Sequence, residues 1–198
     1  MGLEIKYVVG QTKLSEEELE GLKIPSISTR GELDEFEQLN IEKAIEWTLS
    51  LKIKSEQLFT EKFILNVHKK MYSDVWKWAG SFRKSEKNIG IKSYSISIEL
   101  KKLLDDALYW FENKTYSNEE IAIRFKHRIV SIHCFPNGNG RHSRLIADLI
   151  MTKLFNKPYF TWGNSNLVKA SEVRETYINA LQEADNQNYL PLIAFAKS

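Results

Sequence analysis

Apolar residues recur every three or four positions through most of the chain, so helices are expected to dominate. From Glu32 to Leu51, Leu33, Phe36, Ile41, Ala44, Trp47 and Leu51 stand among charges and predict one amphipathic helix. Thr60 is placed to cap a second, with Phe63, Ile64, Val67 and Met71 as its apolar face and a turn at Ala79 and Gly80 beyond it. The period then changes. In "FRKSEKNIGIKSYSISIE" polar and apolar residues alternate around Asn88 to Gly90 and again at Tyr94, Ile96 and Ile98, which predicts a short β-hairpin. Helical spacing returns with Leu100, Leu103, Leu104, Ala107, Leu108 and Phe111. "SNEE", Ser117 to Glu120, has the form of a capping box and opens a helix carrying Ile121, Phe125, Ile129 and Ile132.

That helix cannot run on through "SIHCFPNGNGRHSR", because Pro136 and two glycines are unfavourable in a helix interior, yet "RLIADLIMTKLF" is again strongly helical. The pattern is helix, tight loop, helix. After the turn-like "NKPYFTWGNSN", a helix from Ser171 to Asp185 places Val173, Tyr177, Ala180, Leu181 and Ala184 on one face, and "YLPLIAFAK" closes the chain. The expected fold class is mainly α in one domain, with no repeat or linker.

Composition narrows the function classes. The 198 residues are 42% hydrophobic and 27% charged, as in a globular domain, and a formal charge of +2 gives no general reason to expect nucleic acid or an anionic membrane as partner. Anion binding has to be local. No stretch reaches the roughly 18 apolar residues of a membrane span. The start "MGLEIKYVVG" lacks the form of a secretory leader, and Lys6 stands where an acylation signal needs Ser or Thr. The single Cys134 cannot form an internal disulfide, which fits a cytoplasmic setting.

The loop itself carries the chemistry. In "NGNGR" two glycines let successive N–H groups point into one concavity at a helix start, where anions bind. Arg141 and Arg144, three apart on the first turn, lie on a similar face to receive further phosphate oxygens, and His133 brings a proton acceptor suited to neutral pH. Taken singly, each has an ordinary structural reading as cap, turn or solvated face. Phe135 reads as core and Cys134 as a small buried hydrophobe.

Together, His133, Phe135, Gly138, Asn139, Gly140, Arg141 and Arg144 resemble the signature of the Fic family, His-x-Phe-x-(Asp/Glu)-Gly-Asn-Gly-Arg-x-x-Arg. The resemblance extends over roughly Leu33 to Ala194. "STRGELDEFEQ", "DVWKWAGSFRKSEKNIGI" and "IHCFPNGNGRHSRLIADL" are similar to the subgroup called mobile mystery protein B. It implies a Fic-type helical bundle over residues 32–198, with a β-hairpin flap beside the active-site loop, preceded by an N-terminal extension, residues 1–31, with a regulatory role. The activity implied is that of a protein adenylyltransferase moving AMP from ATP to a Ser, Thr or Tyr hydroxyl of a target protein. His133 is then the general base. Asn137, Gly138, Asn139, Gly140, Arg141, Arg144 and Tyr177 bind nucleotide, and Asn88, Ile89, Gly90 and Ile91 of the flap dock the target.

Asn137 departs from the signature. The family has Asp or Glu there to hold Mg²⁺ or Mn²⁺, and a neutral carbonyl oxygen is a weaker metal ligand. Three activities therefore stay open: AMP transfer over a weak metal site, phosphate transfer in the manner of Doc toxins, and nucleotide binding without catalysis. The subgroup also implies a bacterial toxin–antitoxin setting with a small DNA-binding partner protein. Many Fic proteins are inhibited by a glutamate of a Ser/Thr-x-x-x-Glu-Gly/Asn helix that pairs with the second arginine. Ser28 and Glu32 match that spacing, with Leu33 in place of Gly or Asn; the other reading is that Ser28 or Thr29 caps the helix and Glu32 sits in its first turn.

Overall fold

Side-chain oxygens start four of the helices. The computed structural model describes residues 13–163 and 170–198, so the leader and acylation expectations at the start of the chain lie outside the described residues. Helix α1 (Glu16–Leu19) and helix α2 (Arg30–Leu49) both begin with complete capping boxes. A short α3 (Ser55–Leu58) leads into α4 (Glu61–Tyr72), where Thr60 Oγ1 accepts from Phe63 N at 3.2 Å, as its position in the sequence suggests. At α6 (Asn118–Ile132), Ser117 Oγ accepts from Glu120 N at 3.2 Å, while the Glu120 carboxylate takes Arg124 at 2.8 Å. That box therefore forms by half.

Helix α5 (Ile96–Asn113) packs on α6, and α6 packs on α7 (Asn139–Leu149), which runs on into a π-helical turn, Ile150–Leu154. Helix α2 lies on α4, and α4 touches α7. Helices α8 (Ala170–Asp185) and α9 (Leu190–Lys197) pair with each other, and α9 rests on α6. The α6–α7 pair is thus packed against α4, α5 and α9. Ala122, Ile123, Phe125, Ile129, Ile146 and Ala147 are almost wholly buried there, and each large side chain contributes on the order of 1.5–3 kcal/mol by leaving water. The loop between these two helices is thus anchored in the buried core. No helix among the described residues is long and apolar enough to cross a membrane.

The expected β-hairpin is not formed, and the described residues contain no strand. Tyr94, Ile96 and Ile98 look alternating, but Ile96 also begins the series Ile96, Leu100, Leu103, Leu104, Ala107, which is one buried helical face. The helical series wins because it buries five side chains, whereas Tyr94 and Ile98 remain exposed. Upstream, residues 84–92 form an irregular loop closed by side chains: Glu86 accepts from Ser93 N at 3.0 Å and from Ser93 Oγ at 2.8 Å. Arg83 holds it from inside. Its Nε donates to the His133 carbonyl at 2.6 Å, Nη1 to Ser85 O at 2.9 Å and Nη2 to Ile91 O, while its backbone N–H donates to Cys134 O at 2.9 Å.

Replacing Arg83 with Met leaves those carbonyls buried without their donor. The expected cost is about 2–4 kcal/mol in urea denaturation, with faster amide exchange around Ile91. A change below about 0.5 kcal/mol shows that the loop does not depend on the guanidinium.

Candidate functional site

His133 ends α6 in the left-handed region, φ 59° and ψ 61°, and its N–H still reaches Ile129 O at 3.2 Å. The chain then turns inward, and Phe135 stacks on the His68 ring with centroids 3.7 Å apart. His68 Nδ1 accepts from Gly80 N at 3.0 Å, which places the ring hydrogen on Nε2, donating to the Asn137 carbonyl at 3.1 Å. Asn139 closes the turn: Oδ1 accepts from Phe135 N at 2.9 Å and Nδ2 donates to Phe135 O at 2.8 Å. Gly138, at φ 77°, starts α7, and a Cβ there would stand 2.5 Å from the Tyr72 ring. Only glycine satisfies both demands. The first N–H groups of α7 have no intrahelical acceptor, so the helix opens with donors and a partial positive charge.

These donors border a cavity of about 590 Å³. Its polar lining includes His133, Asn137, Gly138, Arg141, Arg144 and Arg30, and its apolar lining Trp162, Ile178, Leu181 and Phe195. Tyr177 lies on the cavity wall, and its hydroxyl accepts from the buried Lys126 amine. Trp162 is held by Asp148, one helical turn beyond Arg144, through Nε1 at 3.1 Å to Oδ1. Ile89 also reaches the cavity, and Gly90, at φ 96°, crosses so close to His133 that a Cβ would fall 2.5 Å from the histidine Cβ.

Charge is distributed unevenly. Burial, reinforced by the positive charges of Arg83 and Lys87, lowers the His133 pKa to about 4, against a hydrogen bond to Val130 that favours the protonated ring. His133 is neutral at pH 7 and able to accept a proton. Burial also opposes the Arg141 charge, but Tyr72 and Glu37 outweigh it and hold the guanidinium above its ordinary pKa. Glu37 Oε2 accepts from Arg141 Nη2 at 2.6 Å and its Oε1 from Trp76 Nε1 at 2.7 Å. Burial pushes the Cys134 thiol up to about 12, which leaves it inert.

A neutral imidazole, a helix start and paired arginines on one cavity suit phosphate chemistry, and comparison with known proteins agrees. The family model described as "Fic/DOC family" matches residues 58–151. Over those residues, which include the loop, His133, Arg141 and Arg144, the chain is similar to the Fic/DOC family. It is 23% identical over 168 residues to a protein adenylyltransferase Fic of Aedes aegypti, covering 82% of this chain and 32% of that one. It is 26% identical over 194 residues to a probable protein adenylyltransferase of Aquifex aeolicus, covering 91% and 56%. The chain therefore spans about a third and about half of these curated relatives. The crystal structure of BepC from Bartonella tribocorum, with bound AMPPNP, shares the fold at a TM-score of 0.66 and 16% identity, covering 92% of this chain and 97% of that one.

The residues expected from sequence to bind nucleotide, Asn137 to Arg141, Arg144 and Tyr177, all line one cavity, Tyr177 from outside the matched residues. Asn139 turns its side chain to the loop and offers a ligand only its backbone. Of the residues expected to form the flap, Ile89 reaches the cavity, Gly90 lies against His133 and Ile91 is held by Arg83. Glu32 accepts from Ser28 N at 2.8 Å and Thr29 N at 2.9 Å, and no ion pair joins it to Arg144 among the described residues. Sequence reasoning missed Glu37, His68 and Arg83. The first two had a signal: Glu37 falls in the apolar stripe Leu33, Ile41, Ala44, and His68 in the stripe Ile64, Val67, Met71, where a polar residue needs a buried partner. Arg83 lies in irregular chain and had none.

Burial holds His68 well below its ordinary pKa and lowers His142 to about 4, as it does His133. The unfolded chain takes up these protons near pH 6.5, whereas the folded chain takes up those of His133 and His142 only near 4, so stability present at pH 7 is lost as pH falls through that window. Asp148, raised by burial to about 6, acts in the opposite sense but is a single group. The urea-derived stability is expected to fall by about 3 kcal/mol or more between pH 7 and 4.5. A flat profile contradicts the neutral buried histidines.

Proposed function

We propose that this chain transfers AMP from ATP to a Ser, Thr or Tyr hydroxyl of a target protein. The observation that carries the reading is the neutral, buried His133 on the same cavity wall as the α7 start, Arg141 and Arg144. The names of the two curated relatives support it. In the proposed reaction, the His133 imidazole takes the hydroxyl proton as the target oxygen attacks the α-phosphorus. The α-phosphorus to bridging-oxygen bond breaks, and pyrophosphate leaves. The N–H groups opening α7 stabilise the charge that develops on the phosphoryl oxygens, and Arg144 orients the distal phosphates for in-line displacement. Loop residues Asn88 to Ile91 cover His133 and present the target segment, and Tyr177 with the apolar wall receives the nucleoside. The reaction belongs where ATP is supplied, in line with a cytoplasmic setting.

A divalent ion is implied by the family, but the residues present do not form a resident site for one. No cluster of three potential acidic, histidine or cysteine ligands exists among the described residues. Asn137 offers one neutral oxygen, and that oxygen already accepts from Gly138 N at 2.6 Å. No step above is routed through a metal. Asn137→Asp, which is nearly isosteric, is expected to strengthen Mg²⁺ binding in the presence of ATP by about 10-fold or more, measured calorimetrically. Equal affinity in the two proteins shows that position 137 does not meet the ion.

The reaction is tested by intact mass after incubation with ATP and Mg²⁺ or Mn²⁺, using the protein's own hydroxyls as acceptor. A gain of one AMP moiety that disappears in His133→Ala is the expected result. A phosphate-sized gain replaces the reading with Doc-like transfer. Nucleotide binding with no gain, even after a cell extract is supplied as acceptor, replaces it with a binding module.

A further inference from the structure

The cavity wall that carries Arg141 and Arg144 also includes Arg30, an arginine outside the loop signature. Arg30 opens α2 and lines the cavity together with residues of the loop and of α7. Arg30, Asp34 and Glu37 are spaced i, i+4 and i+7, so they share one stripe of α2. The stripe faces Arg141. Glu37 pairs with Arg141 at 2.6 Å, and the Asp34 charge also bears on the Arg141 guanidinium. Asp34 in turn holds Arg30: its Oδ1 receives Nε and Nη2, both at 2.8 Å. The guanidinium is thereby fixed toward the cavity, with its side chain 27% exposed.

We propose that Arg30 is a binding residue for the terminal phosphates of a nucleoside triphosphate, acting with Arg141 and Arg144. The proposal rests on the nucleotide reading given above and adds the α2 start to the site. Its consequence is that this segment attracts the polyphosphate. The acidic residue two positions on, Glu32, has its carboxylate engaged with Ser28 and Thr29, whereas the arginine beside it reaches the site. A planar fork that keeps one edge on Asp34 still has donors to give to a phosphate oxygen. A ligand with distal phosphates gains that contact, and AMP does not reach it.

The test compares calorimetric affinities of wild type, Arg30→Met, Arg30→Lys and Arg144→Met for ATP, AMP and inorganic tripolyphosphate. Arg30→Met is expected to weaken ATP and tripolyphosphate about 10-fold and to leave AMP within about twofold. Arg30→Lys recovers most of the ATP affinity by keeping the charge. ATP binding unchanged in Arg30→Met but weakened in Arg144→Met overturns the Arg30 proposal alone. Equal losses of ATP and AMP in Arg30→Met also overturn it, since they mark a damaged cavity rather than a lost phosphate contact. Failure of the wild type to bind ATP overturns both this proposal and the nucleotide reading.

Discussion

Buried backbone polar groups need partners, and the turn from α6 into α7 buries several that no helix can satisfy. The surrounding structure provides for them one at a time. Asn139 takes both polar groups of Phe135, His68 takes the Asn137 carbonyl, and Arg83 takes the carbonyls of His133 and Cys134. Each of these partners is itself fixed, His68 by the Gly80 N–H and by its stack on Phe135. An irregular loop is thereby tied to the helices around it through its own backbone groups. Those ties are what allow a helix start, a histidine and two arginines to keep a common geometry toward one cavity.

The same burial sets the protonation states. Imidazoles enclosed by apolar side chains lose their charged form, so His68, His133 and His142 are neutral and act as donors and acceptors rather than cations. Guanidinium groups do not yield their protons, so Arg141 and Arg83 persist as charges and must be matched locally. Arg141 is matched by Glu37; Arg83 is matched by carbonyl dipoles. The result is a proton acceptor set among fixed positive charges, a combination that keeps His133 basic in form while favouring an anionic ligand beside it.

How much of this was readable in the sequence depends on whether the information was periodic. Helices α2, α4, α6 and α7 repeat their apolar residues, and Thr60 and Ser117 mark their starts, so both the elements and the helix–loop–helix around His133 were legible. The hairpin was misread because Ile96 satisfies two periods at once, and the choice between them is made by what Leu100, Leu103 and Ala107 pack against. Arg83 was not legible at all: its partners lie on carbonyls that carry no side-chain signature. Glu37 shows the intermediate case, since its place in an apolar stripe signals a buried partner without telling which one.

Helix α2 links these levels. Its apolar face, with Leu33, Ile41 and Ala44, is part of the core, and its Glu37 fixes Arg141. The segment before it is tied to the loop over His133 as well: Glu18 accepts from Ser85 Oγ at 2.6 Å and pairs with the buried Lys87, and Leu22 bridges to Trp76. Trp76 in turn donates to Glu37. A chain of contacts therefore runs from Glu18 through residues 85–91 to His133, and from Leu22 through Trp76 and Glu37 to Arg141. Displacing the N-terminal segment withdraws support from both His133 and Arg141. A site assembled from one short motif thus depends for its geometry on residues more than a hundred positions away.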